Sequence, residues 1–149
     1  MKQEEIRVPV SSARINRTRA RAWAIQMHYQ WDVSRNGNSL SQTLEDILAN
    51  RRVSAIRIPY VKRIASNLDR YGTQVDDSLN GVLENWRLDR LAAIDRAVLR
   101  IAALEILFFN DVPHKVSILE GVRLAELYGG SESPGFVNGV LDALMAGKG

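Results

Sequence analysis

The segment 94–109 constrains the fold most strongly, because 12 of its 16 residues are apolar. A helix with so little polar surface has to be covered by neighbouring elements on most of its sides. Asp89, just upstream, can cap such a helix with its side-chain oxygen. We therefore expect a central helix over 89–109, enclosed by other helices.

Amphipathic helices are predicted on both sides of this segment, because apolar residues recur there at helical spacing. In the first of them, the apolar stripe consists of Ala20, Trp23, Ala24, Met27 and Trp31. The predicted helices run from about 17 to 33, 40 to 49, 59 to 72, 75 to 86, 117 to 129 and 133 to 147.

Capping and breaking residues set the predicted helix ends. Pro59 suits the first turn of a helix, where its missing N–H costs nothing, and Gly72 is typical of a helix end. Ser117 and Glu120 have the spacing of a capping box. Ser133, followed by a proline, is typical of a helix start. Each segment is thus bounded by residues that favour an end.

The fold class follows from this pattern. The one strand-like window, 53–58, is short, and no alternating pattern of useful length predicts a sheet. We expect an all-α fold of about seven helices, arranged as two packed helical halves. A single domain over 14–146 is expected, preceded by a flexible tail over 1–13.

Composition excludes several classes of protein. With 46% apolar and 25% charged residues, the 149-residue chain has the balance of an ordinary globular domain. The absence of cysteine excludes disulfides and thiolate metal sites, and His28 and His114 are too far apart for a local metal motif. No apolar stretch is long enough for a membrane span or a signal peptide. We expect a cytoplasmic protein without membrane association.

Catalytic motifs are also missing from the sequence. It contains neither a glycine-rich phosphate loop nor a nucleophile elbow. The acidic pairs at 4–5 and 76–77 are expected in the tail and at a helix start, where acids stabilise the helix dipole. We predict no catalytic residue, no metal and no cofactor, and hence no enzyme.

The first helix carries an uneven charge. Between residues 6 and 31 there are five arginines and no acid, namely Arg7, Arg14, Arg17, Arg19 and Arg21. At about 100° per residue, Arg14, Arg17, Arg21 and His28 fall on one side of the helix. This stripe favours an anionic partner, with His28 exposed or in contact with RNA, although a solvated helix surface has the same pattern.

A third side of this helix carries Ile25 and Tyr29. This pair is either a second core contact or a docking face for another protein. Arginines beside aromatic side chains are also what single-stranded nucleic acid requires, since cations bind phosphates and flat rings stack on bases. The residues alone leave these alternatives open.

Longer motifs identify a family. They are RARxxAxQxxYxW at 19–31, WxLxRL at 86–91, DRAVLRIA at 95–102 with Glu105 after it, LA at 124–125, YG at 128–129 and FVNGVLD at 136–142. In this order, from 18 to 144, the chain resembles the bacterial transcription antitermination factor NusB family.

The resemblance implies both partners and site residues. Family members bind a short single-stranded RNA element, boxA, together with the small-subunit ribosomal protein NusE, and the complex joins RNA polymerase during ribosomal RNA transcription. By position, the RNA-binding residues are Arg14, Arg17, Arg19, Arg21 and Phe136, and the partner-binding residues are Tyr29 and Asp95.

Several of these assignments have a structural alternative. Phe136 has a phase compatible with core packing, and Asp95 can simply stabilise a helix start. Arg96 and Arg100 are expected to be structural or to face a partner. Asn138 and Gly139 are expected to be structural, Gly139 as a point of close helix approach.

Two departures from the family pattern weaken the RNA prediction. Gly135 stands where the family usually has a lysine, and residues 119–121 read Leu-Glu-Gly instead of Asn-Glu-Ala. An alternative is therefore a helical protein-interaction scaffold with RNA binding weakened or lost. A second alternative is an enzyme fragment, because similar domains precede RNA methyltransferase domains.

Overall fold

The chain folds into helices. The computed structural model describes residues 2–85 and 87–148, with the side chains of 12–85 and 87–147. Their helices are α1 (Lys2–Ser34), α2 (Leu40–Asn50), α3 (Ile58–Val82), α4 (Ala93–Phe108), α5 (His114–Tyr128) and α6 (Ser133–Lys148), with a 3₁₀ turn at Leu88–Arg90. No strand is found in these ranges, which confirms the all-α prediction. None of their helices is both long and apolar enough to span a bilayer.

Helix α4 lies at the centre, as predicted. Nine of its residues are buried, namely Ala97, Val98, Leu99, Ile101, Ala102, Ala103, Leu104, Glu105 and Ile106. It packs against α1, α3, α5 and α6. Helices α1, α2 and α3 pack on one another, and α5 packs along α6, so α4 joins two helical groups.

Helix α3 merges two predicted helices, which is why six helices are found where about seven were expected. Gly72 was predicted to end a helix, yet α3 runs through it. A glycine inside a helix costs only about 1 kcal/mol relative to alanine. Leu68 and Val75 are seven residues apart on one face and are both buried, so core packing on either side outweighs that cost. Trp86, the predicted end of the later helix, lies outside the described residues.

The start of α1 also differs from the prediction. The periodic pattern starts near residue 17, whereas the helix begins at Lys2. No helix end therefore separates residues 2–13 from the rest of the domain. The flexibility expected for this segment stays a prediction.

Two predicted caps are wrong. Asp89 lies in the 3₁₀ turn and pairs with Arg87 at 3.1 Å, while Ala92 occupies the N-cap of α4. Ser117 lies in the second turn of α5, because that helix begins at His114. Helix α2, in contrast, has a capping box at its start that the sequence analysis missed, formed by Ser39 and Gln42.

The close helix approach falls at a different glycine. A Cβ on Gly139 would meet nothing within 4 Å, so the expectation for Gly139 is wrong. A Cβ on Gly121 would lie 3.1 Å from Leu141 Cδ1 and 3.4 Å from Ala102 Cβ. Gly121, one of the departures from the family pattern, therefore allows α5 to pack closely on α4 and α6.

Candidate nucleic-acid and protein interface

The arginines of α1 do not share one environment. Arg14 and Arg19 are exposed and Arg17 is partly exposed. Arg21 is only 3% exposed. The four arginines predicted to bind RNA are therefore divided, and three of them can reach a ligand in solvent.

The prediction that Arg21 binds RNA is wrong. Its Nε donates to Glu105 Oε2 at 2.7 Å, and its Nη1 donates to Glu120 Oε1 at 3.1 Å. Burial acts to lower the pKa of Arg21, but Glu105 and then Glu120 outweigh it, so the pKa is raised and the side chain stays charged. Both carboxylates are buried as well. Arg21 therefore forms buried structural ion pairs with Glu105 and Glu120 and is inaccessible to RNA.

Further hydrogen bonds extend this buried cluster around Arg21. Glu105 accepts from the hydroxyls of Tyr60 and Ser117, the latter at 2.9 Å. Glu120 accepts from Thr18 at 2.6 Å. Burial, together with Glu105, raises the pKa of Tyr60. The cluster connects α1, α3, α4 and α5, and it explains why Ser117 and Glu120 are not capping residues.

The prediction that His28 is exposed or contacts RNA is also wrong, because the side chain is fully buried. Its Nε2 lies 3.2 Å from Nη1 of Arg100, and its ring meets the Trp31 ring edge-on at 5.3 Å. Burial, and then the positive charge of Arg100, lower the pKa of His28 to about 3. The imidazole is therefore neutral, and because its ring is fully buried it cannot contact RNA. The side of α1 that carries Arg21 and His28 faces the core.

The arginines of α4 are structural. Arg96 binds Asp32 at 2.7 and 2.9 Å and donates to two backbone carbonyls after α3. Arg100 binds Asp76 at 2.9 and 3.0 Å. Asp76 lies inside α3 rather than at the expected helix start. These pairs tie α4 to α1 and α3.

An open groove with aromatic walls lies between α1 and the start of α4. We call it the aromatic groove, and its volume is about 670 Å³. Tyr29 and Tyr128 line it and are 44% and 51% exposed. Ile25, in contrast, is buried. Of the pair Ile25 and Tyr29, Ile25 is therefore a core contact and Tyr29 is at the surface. The remaining lining is Arg19, Ala22, Trp23, Gln26, Arg57 and Ile94.

A second groove lies beside it and contains Phe136. We call it the Phe136 groove, and its volume is about 860 Å³. Phe136 is half-buried and packs against the core with part of its ring. Asp95 also lines the groove, and its buried Oδ1 accepts no hydrogen bond from the described residues. Ile94 lines the first groove and Asp95 the second, so both grooves border the first turn of α4.

A third groove, between α1 and α3, carries arginines that the sequence analysis did not single out. We call it the arginine groove; its volume is about 400 Å³ and its lining is Ala13, Asn16, Arg17, Ile56, Arg57, Pro59, Tyr60 and Arg63. Arg57 also lines the aromatic groove, so the two adjoin. The available signal was the basic stretch 51–70, with six positive residues and one acid.

The structure thus brings most predicted site residues to connected surfaces. Arg19 and Tyr29 share the aromatic groove, Asp95 and Phe136 share the next, and Arg17 lies in the third. Among the described side chains, no three His, Asp or Glu residues converge as a metal site would require. The arrangement offers cations and partly exposed rings along one path, a chemistry suited to binding.

The described residues thus form an all-helical domain with adjoining basic and aromatic grooves. The NusB family model matches residues 18–146. A transcription antitermination protein NusB from Anaeromyxobacter sp. (strain Fw109-5) is 42% identical over 136 residues, covering 89% of this chain and 92% of that protein. The protein of the same name from Oceanobacillus iheyensis is 33% identical, covering 89% and 100%.

Solved structures agree with this assignment. NusB of T. maritima has a TM-score of 0.78 and 34% identity, covering 87% of this chain and 90% of that one. The antitermination factors NusB and NusE in complex with dsRNA give a TM-score of 0.76 at 24% identity, covering 89% and 97%, a likeness of fold. The chain belongs to the NusB family, whose members named here are transcription antitermination proteins.

Proposed function

We propose that this chain binds boxA-type single-stranded RNA together with ribosomal protein NusE, and that it acts in the RNA polymerase antitermination complex during ribosomal RNA transcription in the cytoplasm. One observation carries the proposal: the exposed Tyr29 and the half-buried Phe136 lie in two grooves that both border the first turn of α4. A protein partner at Tyr29 and an RNA strand at Phe136 would therefore lie side by side. The fold neighbour that contains NusE and dsRNA supports these two ligand classes.

Roles for the RNA-facing residues follow from their exposure. Arg14, Arg17 and Arg19 supply phosphate contacts, because their guanidinium groups reach solvent. Phe136 supplies a ring face for an unstacked base. Arg21, buried between carboxylates, has no part in the contact.

Roles for the protein-facing residues follow in the same way. Tyr29 is an exposed aromatic side chain at the mouth of a groove, which is the type of residue that dominates interface energies. The unsatisfied Oδ1 of Asp95 needs a hydrogen-bond donor, and a donor from NusE would supply it. Tyr29 lines the aromatic groove and Asp95 lines the Phe136 groove, and both grooves border the first turn of α4.

The second candidate is a NusE-binding scaffold with weak RNA binding, and the Phe136 groove provides the observation in its favour. Its charged lining consists of one cation, Arg90, and two acids, Asp95 and Glu132. Gly135 stands there in place of the family's lysine. Phosphate binding at this groove is therefore weaker than a lysine would give.

The test measures fluorescence anisotropy of boxA-like and scrambled RNA, each with and without NusE. In the proposal, NusE binds first or jointly and boxA-like RNA is preferred. The double variant Arg14→Gln/Arg19→Gln loses two phosphate contacts, so the slope of log affinity against log salt should flatten by about 1.4, at about 0.7 per contact. The binding of both RNAs should weaken by the same factor. Arg123→Gln is the matched control, because Arg123 is 63% exposed on α5 outside the three grooves. Weak binding of both RNAs in the presence of NusE, with NusE itself still bound, supports the scaffold instead.

The partner face has its own test, which is Tyr29→Ala. An interface aromatic contributes about 1–3 kcal/mol, so titration calorimetry with NusE should show a loss of affinity of that size. The melting temperature should stay nearly constant, because the ring is 44% exposed. A protein that melts several degrees lower and binds NusE normally would place Tyr29 in the core and refute its role.

A further inference from the structure

Of the residues assigned to RNA or to NusE, only Arg17 lines the arginine groove. Its described lining contains three arginines, Arg17, Arg57 and Arg63, and no acidic residue. One carboxylate, that of Asp111, lies beside it. The buried carboxylate of Glu105, which also acts on Arg63, is paired with Arg21. The three guanidinium groups and the one exposed carboxylate therefore carry a net charge of about +2.

The pairing of these groups leaves cations available. Asp111 accepts from Arg63 at 2.6 and 2.9 Å and lies 3.5 Å from Nη1 of Arg17. Two arginines therefore share one carboxylate. Arg57 donates to the neutral Asn16 Oδ1 at 3.2 Å, which leaves its charge uncompensated by that contact.

Aromatic rings hold two of the guanidinium groups in place. The guanidinium carbon of Arg17 lies 4.3 Å from the centre of the Tyr60 ring, and that of Arg63 lies 3.8 Å from the centre of the Phe109 ring. A stacked guanidinium has lost much of its freedom before a ligand arrives, so less entropy is lost on binding. The side chains remain reachable, since those of Arg17 and Arg63 are 39% and 36% exposed.

These features select a ligand chemistry. Guanidinium groups suit the oxygens of phosphate groups, which they can contact with two donors at once. The arginines occupy positions over the rings, so a base cannot stack there in the same way. A groove of this kind contacts the backbone of a nucleic acid and reads no sequence.

We propose that the arginine groove binds the phosphate backbone of RNA that flanks the boxA-type element, so that the RNA contact continues from the exposed arginines of α1 onto α3. The inference rests on the proposed function. Arg17 connects the two surfaces, because it is one of the proposed phosphate contacts of α1 and also lines the arginine groove. The added contact is sequence-independent and strengthens binding only to RNA that is long enough to reach it.

The experiment compares two RNAs on the complex with NusE. One is a short boxA-like RNA, and the other carries about ten extra uridines on one end, a length within the range of about 4–16 nucleotides that single-strand grooves cover. Both the 5′ and the 3′ extension are measured. For the wild type, one extension should steepen the log–log salt slope by about 1.4–2.1, corresponding to two or three phosphates at about 0.7 each.

Arg57→Gln should remove about 0.7 of the slope added by that extension. Replacing the uridines with another unstructured sequence should leave the added slope unchanged. Lys62→Gln is the matched control, because Lys62 is an exposed neighbour on α3 that does not line the groove. Circular dichroism of each variant verifies that the helices are retained.

Three results would overturn the inference. The first is an unchanged slope with both extensions, and the second is an equal loss in Arg57→Gln and Lys62→Gln. The third is stronger competition by oligoglutamate than by oligouridine of equal charge, which would assign the groove to an acidic protein segment. If the short RNA itself fails to bind, the proposed function fails; if only the extension adds nothing, the inference alone fails.

Discussion

Replacing Arg21 by methionine separates a structural role from an RNA-binding one. Methionine keeps much of the length and apolar volume of the side chain but removes the charge and both hydrogen bonds. Glu105 and Glu120 would remain buried without their shared cation. Breaking a buried ion pair on one side costs about 3–5 kcal/mol, because a charge is left uncompensated in the interior.

The contacts of Arg21 give the same magnitude. It makes two charged hydrogen bonds, at 2.7 and 3.1 Å, and such bonds contribute about 1.5–3 kcal/mol each. Their loss amounts to about 3–6 kcal/mol. This is a large part of the 5–15 kcal/mol by which a domain is typically stable, so Arg21→Met is expected to be marginally folded.

Urea unfolding followed by circular dichroism measures the effect. With a slope of about 2 kcal/mol per M, a loss of about 4 kcal/mol moves the midpoint down by about 2 M. Combining Arg21→Met with Glu105→Gln and Glu120→Gln should recover much of the loss, because no unpaired charge then remains buried. Tyr60→Phe, which removes one donor to Glu105, should cost about 1.5–3 kcal/mol and leave a folded protein to measure.

The refuting result is specific. If Arg21→Met shifts the urea midpoint by less than about 0.5 M (about 1 kcal/mol at that slope) and flattens the salt dependence of RNA binding, Arg21 is a phosphate contact. The buried cluster would then be unimportant for stability.

Three further predictions follow from single contacts. Gly121→Val should lose about 1–3 kcal/mol of stability, because the added side chain overpacks against Leu141. Gly139→Ala should gain up to about 1 kcal/mol, because the space around Gly139 is open. Equal melting temperatures of the two variants would contradict the close helix approach at Gly121. The pKa of His28 is lowered to about 3 in the folded state, so between about pH 6.5 and 3 the unfolded chain binds a proton that the folded chain does not. Stability should therefore fall as the pH drops through this range, by up to about 1.4 kcal/mol per pH unit. Urea midpoints measured against pH should lack this contribution in His28→Gln. Asp111→Asn should steepen the salt dependence of binding to the extended RNA, since two arginines lose their shared carboxylate; an unchanged slope would count against phosphate binding there.

Local pattern was sufficient for the helices and for part of the surface. The apolar run at 94–109 predicted a central helix, and α4 is that helix. Tyr29 stood apart from the main apolar stripe of α1 and is exposed. These features depend on residues three or four positions apart, whose relation a helix settles without reference to the rest of the chain. Gly72 shows the limit, because packing on both sides of it outweighed a local helix-ending preference.

Long-range contacts decided which charged residues are available to a ligand. Arg21 looks like its neighbours Arg17 and Arg19 in the sequence, but Glu105 and Glu120, 84 and 99 residues away, meet it in the core. Burying an arginine is favourable only when such partners are in place, and local spacing carries no information about them. The arginine groove formed in the same way, when α3 was packed against α1. The sequence therefore specified the helices and the amount of positive charge, and tertiary packing decided which of those charges face solvent.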